Sequence, residues 1–186
     1  MKTVYLLRHA KAERVGPAAA DSERALEERG RGAAALVGRA MAARGWLPDL
    51  ALVSSARRAR QTFEIMAPDL GPRVAVRFES GLYLVEAEIL IRRLRRLDDK
   101  VDAVLLVGHN PGLQEAALVL AATADPAVAR QMAESFPTGA LARFCFAVGA
   151  WREIGPNSVD AVELLTPKML RKQDGRGDSP PDQTII

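Results

Sequence analysis

Runs of apolar residues, and the spacing between them, divide the chain into alternating elements. "TVYLL" (3–7) and "DLALVSS" (49–55) predict strands. "DAVLLVGH" (102–109) predicts a strand covered on both faces, because its hydrophobicity is continuous. "RVAVRFE" (73–79) alternates as a half-covered strand does. Between them lie stretches with helical spacing. Residues 27–44 are rich in Ala, Leu, Arg and Glu, with Val37 and Met41 four apart, and Asp21, Ser22 and Glu27 are candidates for its start. "ARRARQTFEIMA" (56–67) predicts a helix ended by Pro68. "EAEILIRRLRRL" (86–97) predicts an amphipathic helix with Ile89, Leu90, Leu94 and Leu97 on its apolar stripe. "GLQEAALVLAAT" (112–123) predicts a further helix, and a short one follows at 126–135. "GALARFCFAV" (139–148) and "SVDAVELLTP" (158–167) predict two strands joined as a hairpin through "GAWREIGPN".

This order predicts an α/β fold: a three-layer α/β/α sandwich whose central sheet is mostly parallel, with an antiparallel C-terminal hairpin. Residues 1–170 are expected to form a single domain. The Pro, Gly and charge content of "RKQDGRGDSPPDQTII" predicts a disordered tail over 171–186.

Composition narrows the function classes. With 186 residues and 48% of them apolar, the chain can build a sizeable core. The formal charge is +3, and no basic run is interleaved with aromatics, so nucleic acid is not an expected partner. No apolar stretch approaches the ~18 residues of a membrane span, and Arg8 interrupts the first apolar run too early for a secretory signal, so a cytoplasmic protein is expected. The single cysteine, Cys145, lies within a strand pattern and reads as a small core residue.

The candidate chemistry sits at strand ends. In an open parallel sheet, ligands bind beyond the carboxyl ends of the strands. Arg8 and His9 end the first strand, Ser54 ends the second with Arg58 one turn into the next helix, and His109 ends the fourth. The chain has two histidines, and both fall where they can face one cleft. One histidine at a strand end is more often structural; it is the joint placement that points to a site. Asn110 and Pro111 read as the cap and first residue of a helix starting just past His109, and a helix start is a ready anion site. Two arginines, two histidines and a helix start suit a phosphoryl group, because guanidinium forks match phosphate oxygens and phosphoryl transfer needs mainly positioning and charge neutralisation. The carboxylates and histidines are not spaced as a metal site, and no G-x-x-x-x-G-K-[ST] loop is present, so neither metal nor other cofactor is expected. Imidazole is nucleophilic only when neutral, and the arginines beside His9 should lower its pKa.

"LLRHAKAE", "SSARRARQT" and "LLVGHNPGL" together resemble the histidine phosphatase superfamily, the phosphoglycerate mutase-like proteins. "DSERALEERGRGAA" (21–34), with Asp21, Arg24, Leu26 and Gly30, and "PTGAL" (137–141) are similar to its small SixA-type phosphohistidine phosphatases. The resemblance spans residues 3 to about 167. It implies that His9 takes the phosphoryl group as a covalent phosphohistidine, that Arg8 and Arg58 clamp the phosphate, and that His109 completes the pocket. Water then hydrolyses the intermediate without a metal. Ser54 and Asn110 are expected to contribute to phosphate binding, although Ser54 also suits a helix cap. Lys11 reads as a solvated loop lysine beside the pair, and Gln61 and Thr62 as supports of Arg58.

One departure bears on the substrate. The superfamily's acidic proton donor has no obvious counterpart; Glu79 is the first candidate, then Asp21, while Glu86 and Glu88 suit a helix start. A missing acid costs roughly 10²–10⁴-fold on poor leaving groups and less where imidazole departs. The expected activity is therefore that of a metal-independent protein phosphohistidine phosphatase acting on a phosphotransfer domain or phosphocarrier. The alternatives are a small-molecule phosphomonoesterase, or a module that binds phosphate without turning it over.

Overall fold

The computed structural model describes residues 1–14, 20–173 and 175. Among the described residues, six strands and six α-helices follow in this order: β1 (Lys2–Arg8), α1 (Glu28–Ala43), β2 (Leu50–Ser54), α2 (Arg57–Leu70), β3 (Ala75–Glu79), α3 (Ala87–Arg95), β4 (Ala103–Gly108), α4 (Gly112–Ala121), α5 (Pro126–Glu134), β5 (Leu141–Phe146), β6 (Val159–Leu165) and α6 (Pro167–Gln173). The strands form one sheet in the order β3-β2-β4-β1-β5-β6. Pairings β3–β2, β2–β4 and β4–β1 are parallel, whereas β1–β5 and β5–β6 are antiparallel. The expected α/β architecture, with its antiparallel terminal hairpin, is the one observed.

Successive side chains of a strand point to opposite faces, and the two cores follow that alternation. Val4, Leu6, Leu50, Leu52, Val104 and Leu106 join the core under α3, α4 and α5. Their neighbours Tyr5, Leu7, Ala51, Val53, Leu105 and Val107 join the core under α1, α2 and α6. A sheet buried on both faces needs apolar residues at every position, which is why these strands read as unbroken runs.

Several boundaries differ from the sequence reading. Pro68 does not end α2; it sits inside the last turn, and the helix runs to Leu70 before Gly71, at φ +88°, turns the chain. On α3 the buried side chains are Leu90, Ile91 and Leu94, so Ile91 rather than Ile89 lies on the apolar stripe. β3 is an edge strand whose side chains are largely exposed, Val76 and Phe78 included. α6 continues through Gln173, past the expected boundary at 170, because Leu170 is buried in the second core. Apart from residue 175, the rest of the expected tail lies outside the described residues.

Two glycines position the loop after β1. A Cβ at Gly30 would lie 2.0 Å from the carbonyl oxygen of Lys11, so the first turn of α1 approaches that loop more closely than any side chain allows. Gly139, at φ +79°, donates its amide to the carbonyls of Arg8 and His9 at 3.0 and 3.2 Å.

Candidate active site

The carboxyl ends of β1, β4 and β2 lie side by side, since β4 separates the other two in the sheet. Arg8 is in register with Gly108, so His9 and His109 leave adjacent strands at the same level. Their ring centroids are 5.0 Å apart. Arg58, one turn into α2, reaches the same place: its Nε donates to His9 Nε2 at 3.2 Å. The structure thus brings His9, His109 and Arg58 together from three separate stretches of chain. Arg8 is anchored beside them by Nη1, which donates to the Phe136 carbonyl at 2.8 Å, while its Nε is buried without a hydrogen-bond partner.

Each imidazole is oriented by one contact. His9 Nδ1 lies 2.7 Å from the Ala10 carbonyl oxygen. A carbonyl only accepts, so Nδ1 carries the proton and Nε2 keeps its lone pair. His109 Nε2 lies 2.7 Å from Ser54 Oγ, and its Nδ1 is buried with no partner. The loop bearing His9 is fastened to α2: the Ala10 amide donates to Thr62 Oγ1 at 3.0 Å, and Thr62 Oγ1 donates to the Arg58 carbonyl at 2.6 Å. Gln61 Oε1 accepts the Leu26 amide at 2.8 Å, tying the entry of α1 to the same helix.

Burial is the first cause holding His9 near a pKa of about 3; the Ala10 carbonyl opposes it, and His109, Arg58 and Arg8 add to the depression. The expected direction is found, but its largest source is desolvation rather than the arginines. His109 is lowered to about 4, again first by burial, then by Arg58, with Asp21 opposing and Arg8 adding. Both rings are therefore neutral at physiological pH. We expect neither histidine to titrate by NMR between about pH 5.5 and 8; a midpoint near the ordinary 6.5 would contradict the burial argument. The unfolded chain then binds more protons than the folded one below pH 6.5, so stability falls as pH drops from there toward the folded values.

The carboxylates are placed differently from their expected ranking. Glu79, the first candidate for proton donor, is held by Arg93 through two bonds of 2.8 and 2.6 Å. Glu86 precedes the first turn of α3, and Glu88 pairs with Arg92 in that helix. Asp21 is the carboxylate at the site. Its Oδ2 accepts from Tyr83 Oη at 2.5 Å and from Arg58 at 2.9 Å, its Oδ1 from Arg24 at 2.9 Å, and its carbonyl from Arg58 at 2.6 Å. Tyr83, Arg24 and Arg58, in that order, hold its carboxyl well below the usual range. Asp21 thus stays ionised and steadies Arg58.

Ser54 and Asn110, expected to contribute to phosphate binding, both make contacts within the protein. Ser54 is wholly buried behind His109. Asn110 does not cap α4, which Pro111 precedes; its amide nitrogen donates to Gln114 Oε1 at 3.0 Å and to the Phe136 carbonyl at 3.2 Å. Its side-chain amide hydrogens are thus engaged within the protein, while its Oδ1 is buried without a partner.

Two groups escaped the sequence reading. Tyr83 packs edge-on against His109, with centroids 5.3 Å apart, and its ring lies 5.7 Å from the Arg58 guanidinium. Its signal was an aromatic in the loop after β3, at the ligand-binding end of the sheet. The Phe136 carbonyl is a backbone group and carries no side-chain signal. Among the described residues no group of three or more His, Cys, Asp or Glu converges to hold a metal.

Residues 4–83 match the model of the histidine phosphatase superfamily (branch 1). An uncharacterized protein of Mycobacterium tuberculosis is 35% identical over 170 residues, covering 87% of this chain and 100% of that protein. Among solved structures, a candidate SixA phosphohistidine phosphatase from Agrobacterium tumefaciens is 31% identical, with a TM-score of 0.69 over 77% of this chain and 90% of that one. Its counterpart from Nakamurella multipartita is 26% identical, with a TM-score of 0.72 over 87% and 95%.

Proposed function

The chain belongs to the histidine phosphatase superfamily, on its SixA-type branch, and from that membership we propose that it hydrolyses phosphohistidine in proteins through a phosphorylated His9. The observation that carries this reading is the pairing of a neutral imidazole with a carboxylate that cannot supply a proton. His9 Nε2 has its lone pair free for attack once Arg58 Nε turns from it to a phosphoryl oxygen. Arg58 and Arg8 neutralise the charge on the transferring group, as phosphoryl transfer requires, and the neutral His109 adds a hydrogen bond. Among the described residues Ser54 has no other acceptor for its hydroxyl hydrogen, so it donates to His109 Nε2. The ring proton then lies on Nδ1, available to a phosphoryl oxygen.

In the first step the bond from phosphorus to the substrate's imidazole nitrogen breaks as the bond to His9 Nε2 forms. In the second, water attacks phosphorus, His9 Nε2 recovers its lone pair, and inorganic phosphate leaves. Asp21 is ionised, and Glu79 is bound to Arg93, so neither protonates a departing alkoxide. An imidazole needs less help than an alkoxide, which favours phosphohistidine over phosphate monoesters.

The test compares kcat/KM for a phosphohistidine protein with that for sugar phosphates and p-nitrophenyl phosphate. A preference of about 10²-fold or more for phosphohistidine is expected from the missing acid. Equal or better turnover of the alkyl phosphates would reject the reading in favour of a small-molecule phosphomonoesterase. Because the two arginines supply the positive charge, activity is expected to survive EDTA; loss restored by a divalent ion would contradict the metal-free route.

A further inference from the structure

The loop that carries His9 has a second face. A groove of about 380 Å³ runs along it, lined by Lys11, Arg29, Lys168 and Arg171 and by the hydroxyls of Ser135 and Thr138. Among the described residues no carboxylate lines it. Arg29 is paired with Glu27, but Lys11, Lys168 and Arg171 form no ion pair among the described residues. A chain with a net charge of only +3 has therefore gathered four cations around one hollow.

Two of the stretches that line the groove adjoin the phosphoryl site along the chain. Lys11 is two residues beyond His9. On the opposite wall, Thr138 immediately precedes Gly139, whose amide is bonded to the carbonyls of Arg8 and His9. Phe136, two residues earlier, holds Arg8 through its carbonyl. The third wall is α6, whose Lys168 and Arg171 are one turn apart while Pro167 and Leu170 bury its other side. A helix docked by its apolar residues presents its basic ones at a fixed place.

We infer that this groove binds an acidic segment of the phosphoprotein substrate lying beside its phosphorylated histidine. The inference rests on the phosphohistidine reading above and names what that substrate carries around the reacting residue. Charge complementarity selects the occupant: the walls offer cations and hydroxyl donors, which match aspartate and glutamate side chains. Among the described residues no aromatic side chain lines the groove, which argues against the stacking platform that single-stranded nucleic acid uses. Exposed pairs of this kind act mainly on encounter and KM, and salt screens them within about 8 Å at physiological ionic strength.

The experiment uses synthetic peptides with one histidine, phosphorylated by potassium phosphoramidate. One series has glutamates flanking the histidine, and the other has glutamines. The full chain is compared with Lys168→Glu/Arg171→Glu, which touches none of the groups placed around the phosphoryl pocket. For the unaltered protein, kcat/KM is expected to be about 10-fold higher for the glutamate series, mostly through KM, and the gap should close as salt is raised. In the double variant the preference should vanish, while turnover of free phosphoramidate stays within about twofold. A Lys168→Gln/Arg171→Gln variant should fall between the two.

Equal turnover of both series by the unaltered protein overturns the inference but not the phosphohistidine reading. So does a glutamate preference that survives the charge reversal. Failure to hydrolyse either peptide, alongside turnover of phosphate monoesters, overturns both readings. Charge-dependent retention of an RNA or DNA oligomer, with no effect on peptide turnover, assigns the groove to nucleic acid instead.

Discussion

Replacing His9 by alanine is expected to lower phosphohistidine turnover by about 10⁴-fold or more, the scale seen when a covalent nucleophile is removed. Nothing else at the site substitutes for it. His109 Nε2 is tied to Ser54, and the other nearby polar groups among the described residues are cations, an ionised carboxylate and the Tyr83 hydroxyl that donates to it. The fold should persist, because the imidazole's only polar contacts are the Ala10 carbonyl and Arg58. The backbone of the loop is held independently, by Gly108, Gly139 and Thr62. Circular dichroism and Tm should change little, whereas unfolding of this variant would recast His9 as a structural residue.

The second large effect is expected at Arg58. Its guanidinium is 3% exposed and makes three directed contacts, to His9 Nε2, the Asp21 carbonyl and Asp21 Oδ2. Lysine keeps the charge but loses the planar fork, so it cannot hold Asp21 and a phosphoryl oxygen at once. Each charge-assisted bond is worth about 1.5–3 kcal/mol, so losing one in the transition state predicts a fall of roughly 10²-fold in kcat/KM for Arg58→Lys. Tyr83, which shares Asp21 with Arg58, should feel the change as well. Activity within about twofold of the unaltered protein would show that positive charge alone is required, and that the fork carries no function.

Much of this arrangement was visible in the sequence, for identifiable reasons. β1, β2 and β4 are buried on both faces, so their apolar runs are unbroken and their ends are marked by the first polar residue. Those ends are Arg8, Ser54 and the Gly108–His109 step, and parallel pairing aligns them. Distinctive residue types at aligned strand ends are what pattern reading detects. Groups that act by contact were harder to place. Glu79 ends β3 beside Ser54, yet its side chain turns to Arg93, fourteen residues on. Asp21 lies in a short helical turn outside the main elements and reaches the site only because Arg58 and Tyr83 hold it there. Neither pairing has a periodicity to read. Asn110 and Pro111 carry cap chemistry in their sequence, but the asparagine Nδ2 donates to Gln114 and to the Phe136 carbonyl, and its Oδ1, the atom a cap would use, accepts from no amide of α4. Pro68 likewise failed as a stop signal, because a proline in the final turn of a helix can be accommodated until Gly71 changes the direction of the chain.

The substrate argument follows from the same contacts. A carboxylic acid able to donate must be protonated at working pH, which calls for a desolvated carboxyl without cationic neighbours. Asp21 has the opposite surroundings: two guanidinium groups and a phenol hydroxyl donate to it, and 48% of its side chain is exposed. On the proposed reading, the site therefore neutralises charge at phosphorus and does little to help the departing group.

The most direct test is the phosphoenzyme itself. The protein is mixed with excess phosphoramidate-phosphorylated histidine peptide, quenched in alkali within the first turnovers, digested and mapped by mass spectrometry. We expect one phosphoryl group, stable in alkali and lost in acid, on the peptide that contains His9, and none in His9→Ala. Steady turnover with the phosphoryl group on any other residue, or with none trapped at all, would contradict the assignment of His9 as nucleophile.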